Sequence, residues 1–169
     1  QHFRTYDWTK KPKLHNLTPE ELKESSVGIL NKHIVEFTAN AMSPNPKRYE
    51  TEHTIVRVND DKGIGRHNTV YIPMYEVKKV VDIKARTISP KGKVTLLNQD
   101  NIKEVKNVDE YGDFKIFAIE GVEKNSEIEV LYTVEKEFDM YGSQTIQSDY
   151  KIKEAQFTFI TGKLNSNIK

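Results

Sequence analysis

The chain has 169 residues, a length that suits one domain able to bury roughly 68 to 70% of the surface its unfolded form would expose. Its 26 basic and 25 acidic side chains are interspersed and give a net charge of +1, which argues against nucleic-acid binding because phosphate affinity needs a clustered basic face. No cysteine is present, so disulfides, thiolate metal sites and cysteine nucleophiles are excluded.

Residues 1–16 are interpreted as an N-terminal leader that either docks by its aromatic side chains or stays mobile. The one basic cluster lies in this leader and is interpreted as solvated, with an anionic contact as the alternative; it comprises Lys10, Lys11 and Lys13. No run of 18 or more apolar residues occurs, so no transmembrane segment is predicted.

Residues 17–169 are expected to form a single β-sandwich domain that starts with a short helix. Thr18 can cap this helix, Pro19 takes its first position and Glu21 completes a capping box, which predicts a helix to about Ser25. From Val27 the apolar period changes to two, which predicts a strand.

The next segments alternate between loops, turns and strands. A loop is predicted from Ala41 to Pro46, and a second strand from about Arg48 to Val58, paired with the first. The strand is predicted to close in the turn Asn59–Gly63. Further on, the sequence predicts strands at Val70–Ile72, Val77–Ile88 and Val94–Leu97, with a turn at Ser89–Gly92 and an ambiguous segment, helical turn or edge strand, at Asp100–Asp109.

Lys115–Ile119 and Glu127–Phe138 are predicted to form an antiparallel pair, and Ile152–Ile160 a last strand. Within Glu127–Phe138, alternate residues from Ile128 to Val134 are expected to be buried and the carboxylates to face water. We therefore expect Val130→Asp to cost several kcal/mol and Glu129→Gln to change stability by no more than about 0.5 kcal/mol. The whole pattern predicts an all-β fold, an antiparallel β-sandwich of about seven or more strands with a short N-terminal helix.

A search for metal sites finds no ligand spacing. The histidines form no HExxH or HxH pair; they are His2, His15, His33, His53 and His67. His33 and His53 could face each other across neighbouring strands, and we interpret them as ordinary sheet residues. The acidic turn at Asp60 and Asp61 lacks the later bidentate carboxylate of a calcium loop. No metal or cofactor is predicted.

A search for catalytic groups also assigns no residue. Gly63 and Gly65 lack the Lys-Ser or Lys-Thr pair of a phosphate loop, and neither GxSxG nor SxxK occurs. Gly142-Ser143 is interpreted as a polar loop. Paired carboxylates could in principle serve a glycosidase, but acids at alternating strand positions are usually solvated; the candidate pairs are Asp109 with Asp113 and Glu135 with Glu137.

The stretch Tyr75–Glu129, continued to Tyr132, carries a resemblance to a known family. Its segments are Asp82–Thr87, the turn Ser89–Val94, Gln99–Ile102, Phe114–Ile119 and Val122–Tyr132. They resemble the domain-of-unknown-function family found N-terminal to transglutaminase-like domains in exported bacterial proteins, in which a Pro-x-Gly-Lys turn follows a strand with an alanine. Asn125 stands where that family usually has glycine.

The resemblance implies a β-sandwich, export to the periplasm or cell surface, and an accessory role beside a transglutaminase-like domain in the same or a longer protein. It also suggests a domain that continues beyond Lys169. We therefore expect a non-catalytic interaction or scaffolding domain, with peptide or glycan as further partners. The alternatives are a small carboxylate-dependent hydrolase and a glycan-binding module.

Overall fold

The structure of the chain is a computed structural model that describes residues 1–40, 43–108, 112–139, 142 and 148–161. Strands dominate this part of the chain, which confirms the prediction of a mostly β fold. They are β1 (Ser26–Asn40), β2 (Ser43–Val58), β3 (Thr69–Pro73), β4 (Val77–Ile88), β5 (Val94–Leu96), β6 (Lys103–Val108), β7 (Gly112–Ala118), β8 (Ser126–Lys136) and β9 (Ala155–Thr161). The described residues hold one α-helix, α1 (Asp61–His67).

The strands form two open sheets. The larger sheet has the order β5-β4-β8-β2-β1-β9, and the smaller has the order β3-β7-β6. β1 and β2 pair antiparallel over most of their lengths, as the sequence predicts, and β8 lies between β2 and β4 at the centre of the large sheet. The edge strand β9 instead runs parallel to β1.

One hydrophobic cluster joins the two sheets. It includes Val56 of β2, Ala85 of β4 and Val130 of β8 from the large sheet, and Ile72 of β3 and Phe117 of β7 from the small one. Ile72 is fully buried and Phe117 is 2% exposed, so the small sheet covers this side of the large sheet. We call this side of the large sheet its core face. Val130 lies on the core face as predicted, because successive side chains of β8 point alternately to the two faces of the sheet.

The predicted pairing of Lys115–Ile119 with Glu127–Phe138 is wrong. β7 pairs with β3 and β6, whereas β8 pairs with β2 and β4 in the other sheet. The connection between them crosses from one sheet to the other and contains two residues with positive φ, Gly121 at 71° and Asn125 at 65°. Asparagine tolerates this left-handed conformation better than most residues, which accounts for a residue other than glycine at position 125.

The predicted helix after Thr18 and the predicted turn Asn59–Gly63 both need correction. The capping box at Thr18 is real, since Glu21 N donates to Thr18 Oγ1 and Thr18 N donates to the Glu21 carboxylate. It opens only a 3-10 turn, Glu21–Lys23, because Glu24 is extended (φ −74°, ψ 142°) and β1 follows. Conversely, the predicted turn Asn59–Gly63 begins α1, with Asp60 accepting a hydrogen bond from Gly63 N as its N-cap.

Two smaller boundaries also differ or become defined. The predicted loop Ala41–Pro46 overlaps β2, which already begins at Ser43; residues 41 and 42 lie outside the described part. The ambiguous segment Asp100–Asp109 continues a 3-10 turn, Gln99–Asn101, into the edge strand β6, and Asp109 lies outside the described residues. No helix in the described ranges has the length and apolar character needed to cross a membrane.

Two glycines of α1 supply a matched test of the helix and its packing. A Cβ at Gly63 would lie 1.9 Å from the carbonyl oxygen of Ser25, whereas a Cβ at Gly65 would meet no atom within 4 Å. We predict that Gly63→Ala lowers the free energy of unfolding by about 1 to 3 kcal/mol through overpacking. Gly65→Ala should raise it by about 0.5 to 1 kcal/mol through helix propensity. Urea denaturation of both variants checks this; equal effects would contradict the packing of α1 on Ser25.

Candidate functional site

Charged side chains converge on the face of the large sheet opposite the core face. Glu127 and Glu129 project there from β8, because side chains alternate along a strand and Val130 projects the other way. The register places Arg57 of β2 opposite Glu127 and Arg86 of β4 opposite Glu129. Three neighbouring strands thus bring two carboxylates and two guanidinium groups together.

Glu127 is held by contacts from two directions. Arg57 Nη2 donates to its Oε1 at 2.7 Å, and the backbone N of His15 donates to the same oxygen at 2.8 Å. His15 Nδ1 lies 2.9 Å from the other carboxylate oxygen. Arg57 Nη2 also donates to the backbone oxygen of His15 at 2.7 Å. Glu127 and Arg57 together therefore engage both backbone polar groups of a single residue.

Glu129 forms the second ion pair. Arg86 Nε donates to its Oε2 at 2.5 Å, and His53 Nε2 lies 2.8 Å from its Oε1. Burial alone would raise the pKa of Glu129, but the hydrogen bonds from His53 and Arg86 and the charge of Arg86 outweigh that effect and hold the pKa below its usual value. Glu129 is therefore a stable carboxylate at neutral pH.

These carboxylates are buried, so the expectation that this face of β8 meets water is wrong. Glu127 is 1% exposed and Glu129 is 3% exposed. Residues 1–24, which we call the N-terminal strap, cover this side of the large sheet, which we call its strap face. Glutamates are rarely buried unless paired, and here each has an arginine partner on the adjacent strand.

The strap docks through its aromatic side chains, which is one of the two alternatives that the sequence leaves open for residues 1–16. Phe3 stacks on Tyr49 of β2 with 4.0 Å between ring centroids. Tyr6 Oη lies 2.7 Å from His53 Nδ1. The guanidinium carbon of Arg86 lies 4.2 Å from the centroid of the Trp8 ring, a cation–π contact.

The sheet also contacts the strap backbone near the N-terminus. Glu36 of β1, which is 4% exposed, accepts hydrogen bonds from the backbone N of His2 at 2.9 Å and of Phe3 at 2.8 Å. Together with the contacts at His15, two carboxylates of the strap face bind three strap amides. The strap is thus held by backbone hydrogen bonds at both ends of its first 15 residues.

A cavity of about 470 Å³ lies between the middle of the strap and the sheet. Its sheet side includes the carboxylate residues and two apolar side chains, Ile55 and Ile88. Its strap side runs from Asp7 to His15 and includes two lysines of the basic cluster, Lys11 and Lys13. This volume falls within the range of about 300 to 1,000 Å³ that is typical of ligand sites.

The other sequence candidates do not come together. His33 and His53 lie on opposite faces of the large sheet, since His33 stacks on Phe157 while His53 contacts Tyr6. Glu135 is paired with Lys47, and Glu137 with Lys78. The partner carboxylate Asp109 and the serine of Gly142-Ser143 lie outside the described residues.

The remaining glycine and metal candidates have structural explanations. Gly63 and Gly65 belong to α1, and Asp60 caps it. Within the described ranges, no three histidine or carboxylate side chains are grouped so that they could hold a metal ion.

Two apolar surfaces lie away from the strap. The outer side of the small sheet, which we call the outer face, carries Tyr71 (61% exposed), Val105, Val108, Phe114 and Ile116 around a groove of about 360 Å³. On the edge strand β9, Phe157 and Phe159 are each about half exposed. Exposed apolar groups that cluster in this way are typical of interaction surfaces.

The fold is a mainly antiparallel β domain of two packed sheets with a strap over the free face of the larger one. The sequence model of DUF3857, a family of domains of unknown function with solved structures, matches residues 44–169, and the chain belongs to this family. The stretch Tyr75–Glu129, on which the resemblance was based, lies inside the matched region. The strap and β1 precede it.

One solved structure with a similar fold is described as a "putative protease" from Parabacteroides distasonis ATCC 8503. It matches with a TM-score of 0.54 and 10% sequence identity, over 72% of this chain and 25% of that one. This chain therefore spans a quarter of that protein, and at this identity the likeness shows the fold alone. No curated protein matches the chain.

Sequence reasoning found neither the buried ion pairs nor the role of His15. Arg57 and Glu127 are 70 positions apart in the sequence, so no local spacing links them. The available signal at Arg86 was a charged residue near the end of a predicted strand, between Ala85 and Thr87. That signal becomes informative only once the register between β2, β4 and β8 is known.

We predict that Glu129→Gln destabilises the protein by about 3 to 5 kcal/mol, because it leaves the buried charge of Arg86 without its carboxylate. This replaces the expectation of a negligible effect. Glu137→Gln is the matched control: its ion pair with Lys78 is about half exposed, so its loss should cost only about 0 to 0.5 kcal/mol. Denaturant midpoints check both values, and equal midpoints would contradict the buried pair.

Acid should weaken the contacts of Glu21, a strap residue that pairs with Lys151 and Lys153. The amide of Thr18 and the ammonium groups of Lys153 and Lys151 lower the pKa of Glu21 from 4.5 to about 2. A lowered folded-state pKa stabilises the fold above the unfolded value, and this contribution disappears as pH falls through the folded value. We predict that the difference in stability between wild type and Glu21→Gln is constant above about pH 5.5 and shrinks towards pH 2. A difference independent of pH, measured by urea titration from pH 2 to 7, would contradict this.

Proposed function

We propose that this chain is a non-catalytic, extracytoplasmic interaction or scaffolding domain with a β-sandwich arrangement, accessory to a transglutaminase-like domain in the same or a longer protein. The observation that carries the proposal is that the converging carboxylates are already paired and buried. Glu127 and Glu129 are each bound by arginine and histidine and lie beneath the strap.

The main alternative, a carboxylate-dependent hydrolase, requires a different electrostatic arrangement. A glycosidase needs one carboxylic acid whose raised pKa lets it protonate the leaving group. The pKa of Glu129 is instead lowered by its hydrogen bonds and by Arg86. Transglutaminase-like chemistry needs a thiolate, and the chain has no cysteine. Both facts favour chemistry on a neighbouring domain.

The outer face offers a surface for that neighbour. Its groove has an apolar lining of Tyr71, Val105, Val108, Phe114 and Ile116, on the side of the small sheet away from the core. Contacts remote from a reacting centre can orient a substrate or hold a catalytic domain in place. Export and the identity of the neighbouring domain are proposed on the family resemblance.

A glycan-binding module is the second candidate, favoured by the phenylalanines on β9. Phe157 and Phe159 are two positions apart and thus lie on one side of the edge strand, 51% and 54% exposed. A row of exposed aromatic rings can stack on the apolar faces of sugars. Saturable binding of an oligosaccharide that is lost in Phe157→Ala would favour this candidate.

The test compares three proteins on peptide and glycan panels: this chain, the transglutaminase-like domain, and the polypeptide that carries both. We predict no turnover above background for this chain, and a higher kcat/KM for the joined protein than for the catalytic domain alone. Tyr71→Lys in the joined protein should remove that gain by placing a charge on the outer face.

Tyr75→Lys is the matched control, since Tyr75 is 71% exposed in the turn between β3 and β4. It should leave kcat/KM of the joined protein unchanged. Turnover by this chain alone that disappears in Glu127→Gln or Glu129→Gln, in protein that is still folded, would overturn the proposal and favour the hydrolase.

A further inference from the structure

We propose that the strap face is a binding groove for a peptide segment, and that residues 1–16 occupy this groove in cis. The occupant is a polypeptide that begins with a 3-10 turn, as at His2–Arg4, and carries aromatic side chains. This inference does not depend on which domain lies beside the chain.

The strap face recognises a polypeptide by its backbone. Glu36 accepts from the amides of two successive residues, His2 and Phe3. Glu127 accepts from the amide of His15 while Arg57 donates to the carbonyl of the same residue. The first amides of a helical turn have no partner within the turn, which is why His2 and Phe3 can both donate to Glu36. Backbone amides and carbonyls are common to every peptide, so these contacts are available to any segment that begins with such a turn and reaches the same positions.

Side-chain contacts define which segments fit best. Tyr49 receives an aromatic ring, at present that of Phe3, and Arg86 receives a second ring, at present that of Trp8. Arg86 Nη2 is buried and makes no hydrogen bond within the described structure, so its guanidinium retains a donor for a further acceptor. A peptide that forms the turn of His2–Arg4 and has two aromatic residues at the spacing of Phe3 and Trp8 satisfies both sites.

The strap does not fill the groove that it covers. The cavity of about 470 Å³ lies beneath strap residues Asp7 to His15 and above Ile55 and Ile88. A cavity needs only about 10 to 15 Å³ to hold one water molecule, so this space is large enough for whole side chains. The groove is therefore larger than its present occupant, as expected of a site that accepts more than one peptide.

Removal of the strap would leave the hydrophobic core in place. The core cluster lies on the opposite face of the large sheet and contains no strap residue. The buried side chains of the strap face include the charged groups Glu36, Arg57, Glu127 and Glu129, which water solvates well, and the apolar side chains of Ile34, Ile88 and Leu131. Replacement of the strap by another peptide keeps these side chains covered, so such an exchange is separable from unfolding of the core cluster.

The experiment uses the full chain with a weakened strap, Phe3→Ala combined with Trp8→Ala, and a fluorescein-labelled synthetic peptide of residues 1–16. Fluorescence anisotropy should show saturable binding to this variant at least 10-fold tighter than to wild type, whose own strap competes at an effective concentration on the order of millimolar. Methylation of the His15 amide nitrogen in the peptide removes the donor to Glu127 and should weaken binding at least 10-fold. The same methylation at Lys10 is the control and should have little effect.

Two results would overturn the proposal: no saturable binding to a variant that keeps a cooperative thermal transition, or equal binding of the two methylated peptides. Hydrogen exchange on wild type gives a second test that needs no variant. The amides of His2, Phe3 and His15 should exchange through an opening that leaves the amides of β8 protected. If they exchange only with global unfolding, the strap is a fixed part of the fold and the proposal fails.

Discussion

The buried ion pairs on β8 determine what can cover the strap face. Glu127 and Glu129 lie on the central strand of the large sheet with Arg57 and Arg86 beside them. Burying charges is costly unless every group is also hydrogen-bonded, so an apolar cover would destabilise the sheet. The cover must supply donors and acceptors, and an irregular segment with unpaired backbone groups does so. The strap contributes the amides of His2, Phe3 and His15 together with the carbonyl of His15.

The sequence contains enough information for the strands and for one face of the large sheet. Alternation from Ile128 to Val134 predicts β8 and places Val130 in the core, and the bounds of β4 coincide with the predicted Val77–Ile88. The burial of the opposite face could not be predicted, because an alternating glutamate has the same local signature whether it meets water or an arginine on the next strand. The predicted pairing of β7 with β8 was wrong for a related reason. Consecutive strands usually pair, but here the connection through Gly121 and Asn125 leads from the small sheet to the large one.

The two misread helical signals show how packing selects among local alternatives. The capping box at Thr18 and Glu21 forms its hydrogen bonds, yet β1 starts at Ser26 and leaves room for only one turn. In α1, two glycines lower helix propensity and make the segment resemble a turn. Gly63 is required there because its α-carbon approaches the carbonyl of Ser25, where any side chain would collide. A glycine that weakens the local signal is thus the residue that permits the tertiary contact.

The residues that form the core and the residues that contact the strap lie on opposite faces of the same strands. On β8, Val130 packs in the core while Glu129, the adjacent residue, binds Arg86 and His53. A change of occupant on the strap face therefore acts on side chains that alternate with the core residues and do not belong to the core. Residues 1–16 of the strap are held both by backbone hydrogen bonds and by side chains, so their sequence is constrained mainly where Phe3, Tyr6, Trp8 and His15 contact the sheet. Tolerance of change at the other positions of residues 1–16 is the property that a general peptide-binding groove requires of its occupants.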